Sequence, residues 1–366
     1  MKLKLIIGVV LILVISLIGI SILSKQPETV IDNPDDDGQE SPEPSEIPDT
    51  EPENTEPETI TPADTIIMPE RGYLLGVLPI PYDGQDFNEA YQLASESCEL
   101  VPVWGRPSPY WEKADDLEGQ WGQIFVEQYT RGNGMTPLLH FSFIGENFTV
   151  SSPEGTEYTL SSPEWRLEYK ESVIESVRVC RPAYLSLGNE VNRWYEIHGM
   201  DGDNGFSQWI SIYEEIYDEV KTLSPETKVF CTFSREIVME NREADLSILE
   251  DFNPDKIDVL VLTSYPYSLQ GVNTPEDIPR DYYTSIAEYL PGKPVGFSEI
   301  AWTSMEAFSG EQAQADFIND VSELTTRLDL EFIMWPWLSD LTVGDTTGLI
   351  RREGTEKLGY LAWCGL

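Results

Sequence analysis

The segment SLGNE at residues 186–190 and the segment FSE at residues 297–299 decide the fold class of this chain. Each is the end of a short apolar run that closes with a glutamate, Glu190 or Glu299, and each run is flanked by helical patterns. Short apolar runs of this kind are typical of parallel strands that are buried on both faces. In barrels and open parallel sheets, the carboxyl ends of the strands carry the functional side chains. The two segments therefore predict an α/β fold with a pair of carboxyl groups at that edge.

Residues 69–366 predict one (β/α)8 TIM barrel. Short apolar or β-branched runs predict its strands at residues 73–80, 100–104, 137–143, 183–187, 228–233, 257–263, 294–297 and 331–337. Helical patterns occupy residues 87–97, 120–131, 163–179, 206–222, 281–290 and 310–328. Strands that alternate with helices indicate a parallel sheet. Eight repeats favour a closed barrel over an open sheet, and no Gly-rich phosphate loop follows the first run.

Residues 1–24 predict a membrane anchor or a signal segment. Residues 5–23 are uncharged and strongly apolar, and their length is close to the roughly 20 residues that span a bilayer. Because Lys2 and Lys4 precede this run and acidic residues follow it, we expect the rest of the chain outside the membrane. An uncleaved anchor is favoured over a cleaved signal, since the run exceeds the apolar core of about 7–15 residues in signal peptides. Residues 25–68 are rich in Pro, Glu, Asp and Thr and predict a disordered linker.

The chain is strongly acidic, with 65 Asp and Glu against 23 Lys and Arg and a formal net charge of -42. This balance excludes nucleic acid as a partner, because a binder needs a basic patch, and it suits an extracellular setting. The four cysteines, at positions 98, 180, 231 and 364, are too widely spaced for a metal-binding pattern. Both disulfides and buried free thiols are compatible with their positions. The sequence predicts no metal, no cofactor and a monomeric ectodomain.

Retaining glycoside hydrolysis requires two carboxyl groups that face each other, as the ends of facing strands would place them. Cleavage of a glycoside requires a proton on the leaving oxygen and a partner for the electron-poor carbon, and two carboxyls about 5–5.5 Å apart supply both. Strands four and seven face each other across the barrel. We therefore assign Glu190 as the general acid/base and Glu299 as the nucleophile. Repulsion from an ionised Glu299 is expected to favour the protonated form of Glu190.

The arrangement resembles the clan A glycoside hydrolases, which are retaining β-glycosidases on TIM barrels. Asn189 and Glu190 after strand four, Glu299 on strand seven, and Trp335 and Trp337 on strand eight carry this resemblance. It extends over nearly all of the predicted barrel by order and spacing. It implies hydrolysis of O-glycosyl bonds in a β-linked glycan without a cofactor. Many clan members have Pro after the acid, whereas Val follows it here, so no subfamily is indicated.

The resemblance also implies roles for residues around the two glutamates. Asn189 is expected to bind the sugar 2-hydroxyl, and Arg106, after strand two, to orient the nucleophile. Tyr265, after strand six, is expected to contact the nucleophile through its hydroxyl, with Tyr267 as the alternative. His140 on strand three is expected at a sugar subsite or in a supporting position.

One tryptophan of strand eight is expected to form the floor under the sugar whose bond is cut. Trp335 suits the end of the strand, and Trp337 suits the pattern that follows it, so the choice between them stays open.

Two other functions use the same barrel. A catalytically silent protein that binds glycans at the cell surface is one alternative, although it would not need a nucleophile. A transglycosylase is the other, and it would keep the same residues. The expected location is the cell surface, with secretion if residues 1–24 are cleaved.

Overall fold

A computed structural model describes residues 59–103, 109–342 and 344–366. In this part of the chain the strands, in chain order, are β1 Leu74–Val77, β2 Leu100–Val103, β3 Thr136–His140, β4 Tyr184–Ser186, β5 Lys228–Phe230, β6 Thr232–Ser234, β7 Glu236–Ile237, β8 Arg242–Glu243, β9 Leu260–Ser264, β10 Val295–Ile300 and β11 Leu330–Trp335. The α-helices are α1 Phe87–Ser95, α2 Lys113–Glu118, α3 Pro163–Cys180, α4 Val191–His198, α5 Phe206–Leu223, α6 Gly310–Leu324 and α7 Leu358–Trp363.

The large parallel sheet closes into a barrel. Its strand order is β5-β4-β3-β2-β1-β11-β10-β9-β6. The two outermost strands, β5 and β6, are separated only by Cys231, so they are halves of one barrel strand. Because β5 pairs with β4 and β6 pairs with β9, the barrel has eight strand positions. The predicted TIM barrel is confirmed, and β7 and β8 form a small antiparallel pair beside it.

The barrel is filled by side chains rather than left open, as TIM barrels require. The buried cluster inside consists of Leu74, Leu100, Leu138, Ala183, Tyr184, Phe230, Val259, Val261, Phe332 and Met334. Gly296 on β10 leaves room for this packing, because a Cβ there would lie 2.7 Å from the Phe332 ring. A second, larger apolar cluster lies between the strands and the surrounding helices. The carboxyl ends of the barrel strands form what we call the upper edge, and their amino ends form the lower edge.

Two of the predicted helices are not α-helices in the structure, and three observed helices, α2, α4 and α7, were not predicted. Residues 120–131 contain a π-helix, Gly122–Thr130, instead of an α-helix. Residues 281–290 contain a short 3-10 helix, Thr284–Glu288. Pro279 and Pro291 lie on either side of this second segment. The hydroxyls of Tyr282 and Tyr283 form hydrogen bonds with Glu236 and Ser264 under the upper edge. These tertiary contacts outweigh the local helical pattern.

Residues 60–66, which we call the N-terminal strap, pack against the lower edge. The N–H of Ile60 donates to the carbonyl of Leu223 at 2.7 Å, at the end of α5. Asp64 forms an ion pair with Arg131 at 2.9 Å. Residues on the N-terminal side of residue 69, where the sequence pattern placed the start of the domain, therefore also contact the barrel. Residues 1–58, with the predicted anchor and most of the predicted linker, lie outside the described residues.

The cysteines at positions 98, 180 and 231 are buried free thiols, and the cysteine at position 364 is an exposed one. Among the residues that the structure describes, no helix combines the length and the hydropathy needed to cross a bilayer.

Candidate active site

Glu190 lies between β4 and α4 in a left-handed backbone conformation, with φ 49° and ψ 45°. Residues other than glycine adopt this conformation rarely, and such strain is often found at functional sites. The N–H of Glu190 donates to Thr232 Oγ1 at 2.9 Å. Its carboxyl accepts hydrogen bonds from Thr263 Oγ1 at 2.8 Å and from Arg193 Nη1 at 2.5 Å. The carboxyl is therefore held against β9 at the upper edge of the barrel.

Glu299 lies on β10 at a β-bulge. Ser298 is an extra residue that shifts the pairing of β10 with β9, so that Glu299 pairs with Thr263. Bulges of this kind redirect side chains and are common next to active sites. The hydroxyl of Tyr265, which follows β9, donates a hydrogen bond to Glu299 Oε2. The bulge and this bond fix the second carboxyl at the same edge.

The pKa of Glu299 is raised from its ordinary value of 4.5 to about 7. Burial of the carboxyl is the largest cause, because a charged group loses its hydration there. The hydrogen bond from Tyr265 opposes this shift, and the negative charge of Glu190 adds to it. Glu299 thus changes charge near neutral pH, as groups at catalytic sites often do.

The structure brings the two glutamates together at β9. Thr263 donates to Glu190 and is the pairing partner of Glu299, so one residue adjoins both. The charges of both glutamates also raise the pKa of the Tyr265 hydroxyl, although burial raises it most. Two carboxyls at one edge whose surroundings differ can divide acid and nucleophile roles between them.

Asn189 is held beside Glu190 by the same threonine that binds the Glu190 backbone. Thr232 Oγ1, on β6, donates to Asn189 Oδ1 at 2.8 Å and accepts from the N–H of Glu190. The carbonyl oxygen of the Asn189 amide is therefore occupied, while its NH₂ group has no hydrogen-bond partner within residues 59–103, 109–342 and 344–366. This group is a donor that a hydroxyl ligand can use.

Tyr265 and Tyr267, the two alternatives for the tyrosine beside the nucleophile, have different surroundings. The hydroxyl of Tyr265 is on Glu299. The ring of Tyr267 packs against Trp302 and Phe308 in the core, with centroid distances of 5.9 Å and 5.3 Å. Only Tyr265 of the two donates to the nucleophile candidate.

Trp335 and Trp337 also differ. Trp335 is 1% exposed, its ring lies 5.9 Å from that of Trp363 on α7, and its Nε1 donates to the carbonyl of Thr347 at 2.8 Å. A ring enclosed in this way offers no face to a ligand, which corrects the expectation for Trp335. Trp337 is half-buried and keeps part of its surface exposed. Of the two, Trp337 is the candidate for stacking on a sugar.

His140 ends β3 and is buried in the barrel wall. Its carbonyl accepts a hydrogen bond from Lys113 Nζ at 2.8 Å. Burial, and secondarily the charge of Lys113, lowers the pKa of His140 well below its ordinary value, so the imidazole is neutral at neutral pH. None of the hydrogen bonds given above joins His140 to Glu190 or Glu299. Arg106, the predicted partner of the nucleophile, lies outside the described residues.

Sequence reasoning missed the polar residues that hold the two carboxyls. Thr232, Thr263 and Arg193 contact Glu190 or Asn189, and Glu236 contacts Tyr265. A usable signal was present, because hydroxyl residues end the fifth and sixth barrel strands. Within the residues that the structure describes, no group of three or more His, Cys, Asp or Glu side chains is arranged to hold a metal ion.

No protein-family model and no curated protein matches the chain. Solved structures do resemble it. One is a family 39 glycoside hydrolase from the gut symbiont Bacteroides cellulosilyticus WH2, at 18% identity and a TM-score of 0.57, over 80% of this chain and 62% of that chain. This chain therefore spans less than two thirds of that protein.

Two further structures are covered more completely. A GH5_18 protein from Streptomyces cattleya, in complex with GlcNAc, is 12% identical with a TM-score of 0.57, over 80% of this chain and 79% of that chain. A psychrophilic family 10 endo-beta-1,4-xylanase is 11% identical with a TM-score of 0.58, over 81% of this chain and 98% of that chain. These structural neighbours belong to clan A TIM-barrel families of glycoside hydrolases. The likeness confirms that the chain has the fold of that clan.

Proposed function

We propose that the protein is a retaining glycoside hydrolase that cleaves β-linked polysaccharides or oligosaccharides by double displacement. The observation that carries this proposal is the meeting of Glu190 and Glu299 at β9, with Thr263 on one carboxyl and Tyr265 on the other. The fold of the structural neighbours supports it, since they are glycoside hydrolases.

The first displacement forms a bond between the Glu299 carboxylate and the anomeric carbon. The bond from that carbon to the leaving oxygen breaks, and Glu190 gives its proton to this oxygen. In the second displacement, a water molecule passes a proton to Glu190 and its oxygen bonds to the anomeric carbon. The ester bond to Glu299 breaks as the bond to the water oxygen forms, so both carboxyls return to their starting states.

Neighbouring residues have roles that their contacts support. Tyr265 stabilises the charged form of Glu299 through its hydroxyl, which keeps part of the nucleophile ionised despite burial. We assign the NH₂ group of Asn189 to the sugar 2-hydroxyl, a contact that strengthens in the transition state. Trp337 provides the stacking surface for the sugar.

A glycan-binding protein without activity is the alternative from another class. The hydroxyl contacts to both glutamates count against it, because a binding protein needs neither a fixed acid nor a fixed nucleophile. A transglycosylase would use the same first displacement and pass the sugar to a hydroxyl of a second glycan. We propose a cell-surface or secreted location from the sequence of residues 1–24.

The test is to incubate the protein with β-galactan, β-glucan, β-mannan and β-xylan, beside Glu190→Gln and Glu299→Gln. We expect the wild type to release reducing sugar from one glycan and both variants to lose this release. Proton NMR of the first product should show a retained anomeric configuration. A shortened chain without the apolar N-terminus should begin at residue 59 or earlier, because the N-terminal strap belongs to the folded barrel.

Three results would contradict the proposal. Inversion of the anomeric configuration would remove Glu299 from the nucleophile role. Retardation of the wild type by one glycan in an affinity gel, without release of sugar, would instead establish the binding protein. Products longer than the starting oligosaccharide would identify a transglycosylase.

A further inference from the structure

Another carboxyl, that of Glu236 in β7, lies under the upper edge. Its side chain is buried, with 2% of the residue exposed, and neither the sequence motifs nor the double displacement gives it a role. Burial raises its pKa from 4.5 to about 7, and hydrogen bonds from Tyr282 and from the Tyr265 N–H oppose this shift. A buried carboxyl costs stability unless its bonds serve the fold or the site.

Within the described part of the chain, the hydrogen bonds to the Glu236 carboxyl come from the segment at and after β9. Oε2 accepts from the N–H of Tyr265 at 2.7 Å. Oε1 accepts from the hydroxyl of Tyr282 at 2.6 Å and from Ser264 Oγ at 2.9 Å. The carboxyl thus ties the end of β9 to the loop that follows, at the residue whose side chain reaches Glu299.

Tyr265 is held at both ends. Its hydroxyl donates to Glu299, and its N–H donates to Glu236. Its backbone has φ -136° and ψ 67°, which departs from the ordinary strand conformation, and Pro266 follows it. Without an acceptor from Glu236, a buried N–H would be left unsatisfied and the backbone would have to move. A movement there carries the hydroxyl away from Glu299.

The charged and titratable groups around Glu236 have partners of their own. Arg235 forms an ion pair with Glu243 at 2.6 Å and lies 4.1 Å from the centre of the Tyr282 ring. Tyr283 shares a hydrogen bond with Ser264 at 2.9 Å. Both carboxyls bond the same residue, since Glu236 accepts from the N–H of Tyr265 and Glu299 accepts from its hydroxyl. Tyr265 is therefore the connection between Glu236 and the nucleophile that these contacts provide.

We propose that Glu236 is a positioning residue that holds the Tyr265 backbone, and through it the hydroxyl that stabilises ionised Glu299. The catalytic meaning of this role rests on the proposed hydrolase function, but the role itself is a matter of geometry. Two conservative substitutions separate position from charge. Glu236→Gln keeps the reach and one carbonyl acceptor while it removes the charge. Glu236→Asp keeps the charge but is one methylene shorter.

The experiment measures the pKa of Glu299 in the full-length protein, by NMR of glutamate labelled with carbon-13 at the side-chain carboxyl. The Glu299→Gln variant identifies the signal by its loss. Tyr265→Phe sets the reference, because loss of its hydrogen bond raises the pKa of Glu299 further. We expect Glu236→Asp to raise this pKa towards the value in Tyr265→Phe, and Glu236→Gln to stay near the wild type.

The double variant with Glu236→Asp and Tyr265→Phe should match Tyr265→Phe alone, because both changes act through one hydroxyl. If Glu236→Asp does not fold, as judged by circular dichroism, Tyr282→Phe loosens the same carboxyl and should also raise the pKa of Glu299. An unchanged pKa in the variant that folds would overturn the proposal. So would a change in Glu236→Gln alone, since this would mean that charge acts directly.

Activity gives a second readout. We expect kcat to fall about tenfold or more in Glu236→Asp with little change in KM, since a small displacement of a catalytic contact has effects of this order. The NMR result does not depend on hydrolysis. A wild type that hydrolyses no glycan, with the expected NMR pattern, would therefore refute the proposed function and leave the positioning role standing.

Discussion

At each of its two edges the barrel has a tyrosine that donates a hydrogen bond to a glutamate, and the two glutamates have different charged neighbours. At the lower edge, the Tyr184 hydroxyl donates to Glu331 at 2.5 Å, and Lys228 forms an ion pair with the same carboxyl. At the upper edge, Tyr265 donates to Glu299, and the neighbouring charged group is a second carboxyl, Glu190.

The difference teaches what a buried carboxyl can do. A lysine beside Glu331 balances its charge, and the pair closes the barrel floor. Glu299 has no such balance among the described contacts, and its burial beside an anion raises its pKa to about 7. The first arrangement has a structural role, whereas the second holds a carboxyl whose pKa lies close to neutral pH.

The largest expected effect follows from the same substitution at each edge. Glu299→Gln should lower kcat/KM by at least about 10³-fold, because it removes the nucleophile. Glu331→Gln, as the matched control, should leave kcat/KM close to the wild type. The measurement is reducing-sugar release under identical conditions. A similar loss in both variants would show that the two edges are not functionally distinct.

The next largest effect is expected from replacing the tyrosine at each edge, Tyr265 or Tyr184, by phenylalanine. Tyr265→Phe should lower kcat/KM about tenfold near neutral pH, since loss of a hydrogen bond to a charged group is worth about 1.5–3 kcal/mol. The acid limb of its pH–rate profile should also move to higher pH, because less Glu299 is ionised. Tyr184→Phe should leave the profile unchanged. A shift in both variants would contradict the assignment of Tyr265 to the nucleophile.

The substitutions Glu331→Gln and Glu299→Gln should affect thermal stability differently. Glu331→Gln is expected to destabilise the protein by about 1–2 kcal/mol, because Lys228 and Tyr184 lose a charged acceptor. Glu299→Gln should not destabilise it near pH 8, since it removes a buried charge. Both variants are compared with the wild type by thermal melting. A lower melting temperature for Glu299→Gln would mean that Glu299 also carries a structural contact.

The smallest expected effect is the change with pH in the melting-temperature difference between Glu299→Gln and the wild type. The folded-state pKa of Glu299 lies above its ordinary 4.5, so the folded protein binds the extra proton between that value and about 7. Its contribution to stability is therefore present at low pH and is lost as pH rises through this range. We expect the melting temperature of Glu299→Gln, relative to the wild type, to increase from about pH 5 to about pH 8. A constant difference would place Glu299 in a less buried setting.

Much of the fold could be predicted because it depends on local patterns. Apolar runs and the helices between them marked the barrel positions, and the two strand-end glutamates followed from the end of each run. The contacts that hold these glutamates join distant strands, as Thr263 does with Glu190. Sequence alone carries no pairing register, so such contacts were missed.

Other differences have the same physical origin. Trp335 and Trp337 are two residues apart and equally apolar, and only their tertiary contacts distinguish them. Trp335 is enclosed by Phe317, by Trp363 and by its bond to Thr347, whereas Trp337 is half-buried. The sequence patterns gave Glu236 no role, although the structure encloses its carboxyl with three donors. The acidic composition before residue 69 likewise hid two apolar residues of the N-terminal strap, Ile60 and Ile66, which pack against the two apolar clusters.

The N-terminal strap also defines how the molecule would carry a mechanical load. Any pull on the chain from residues 1–58 enters the barrel at its lower edge, through the Ile60 hydrogen bond and the ion pair between Asp64 and Arg131. Glu190 and Glu299 lie at the opposite edge. Tension on the N-terminus would therefore be borne by the lower edge of the barrel and not by the strand ends that carry the two glutamates.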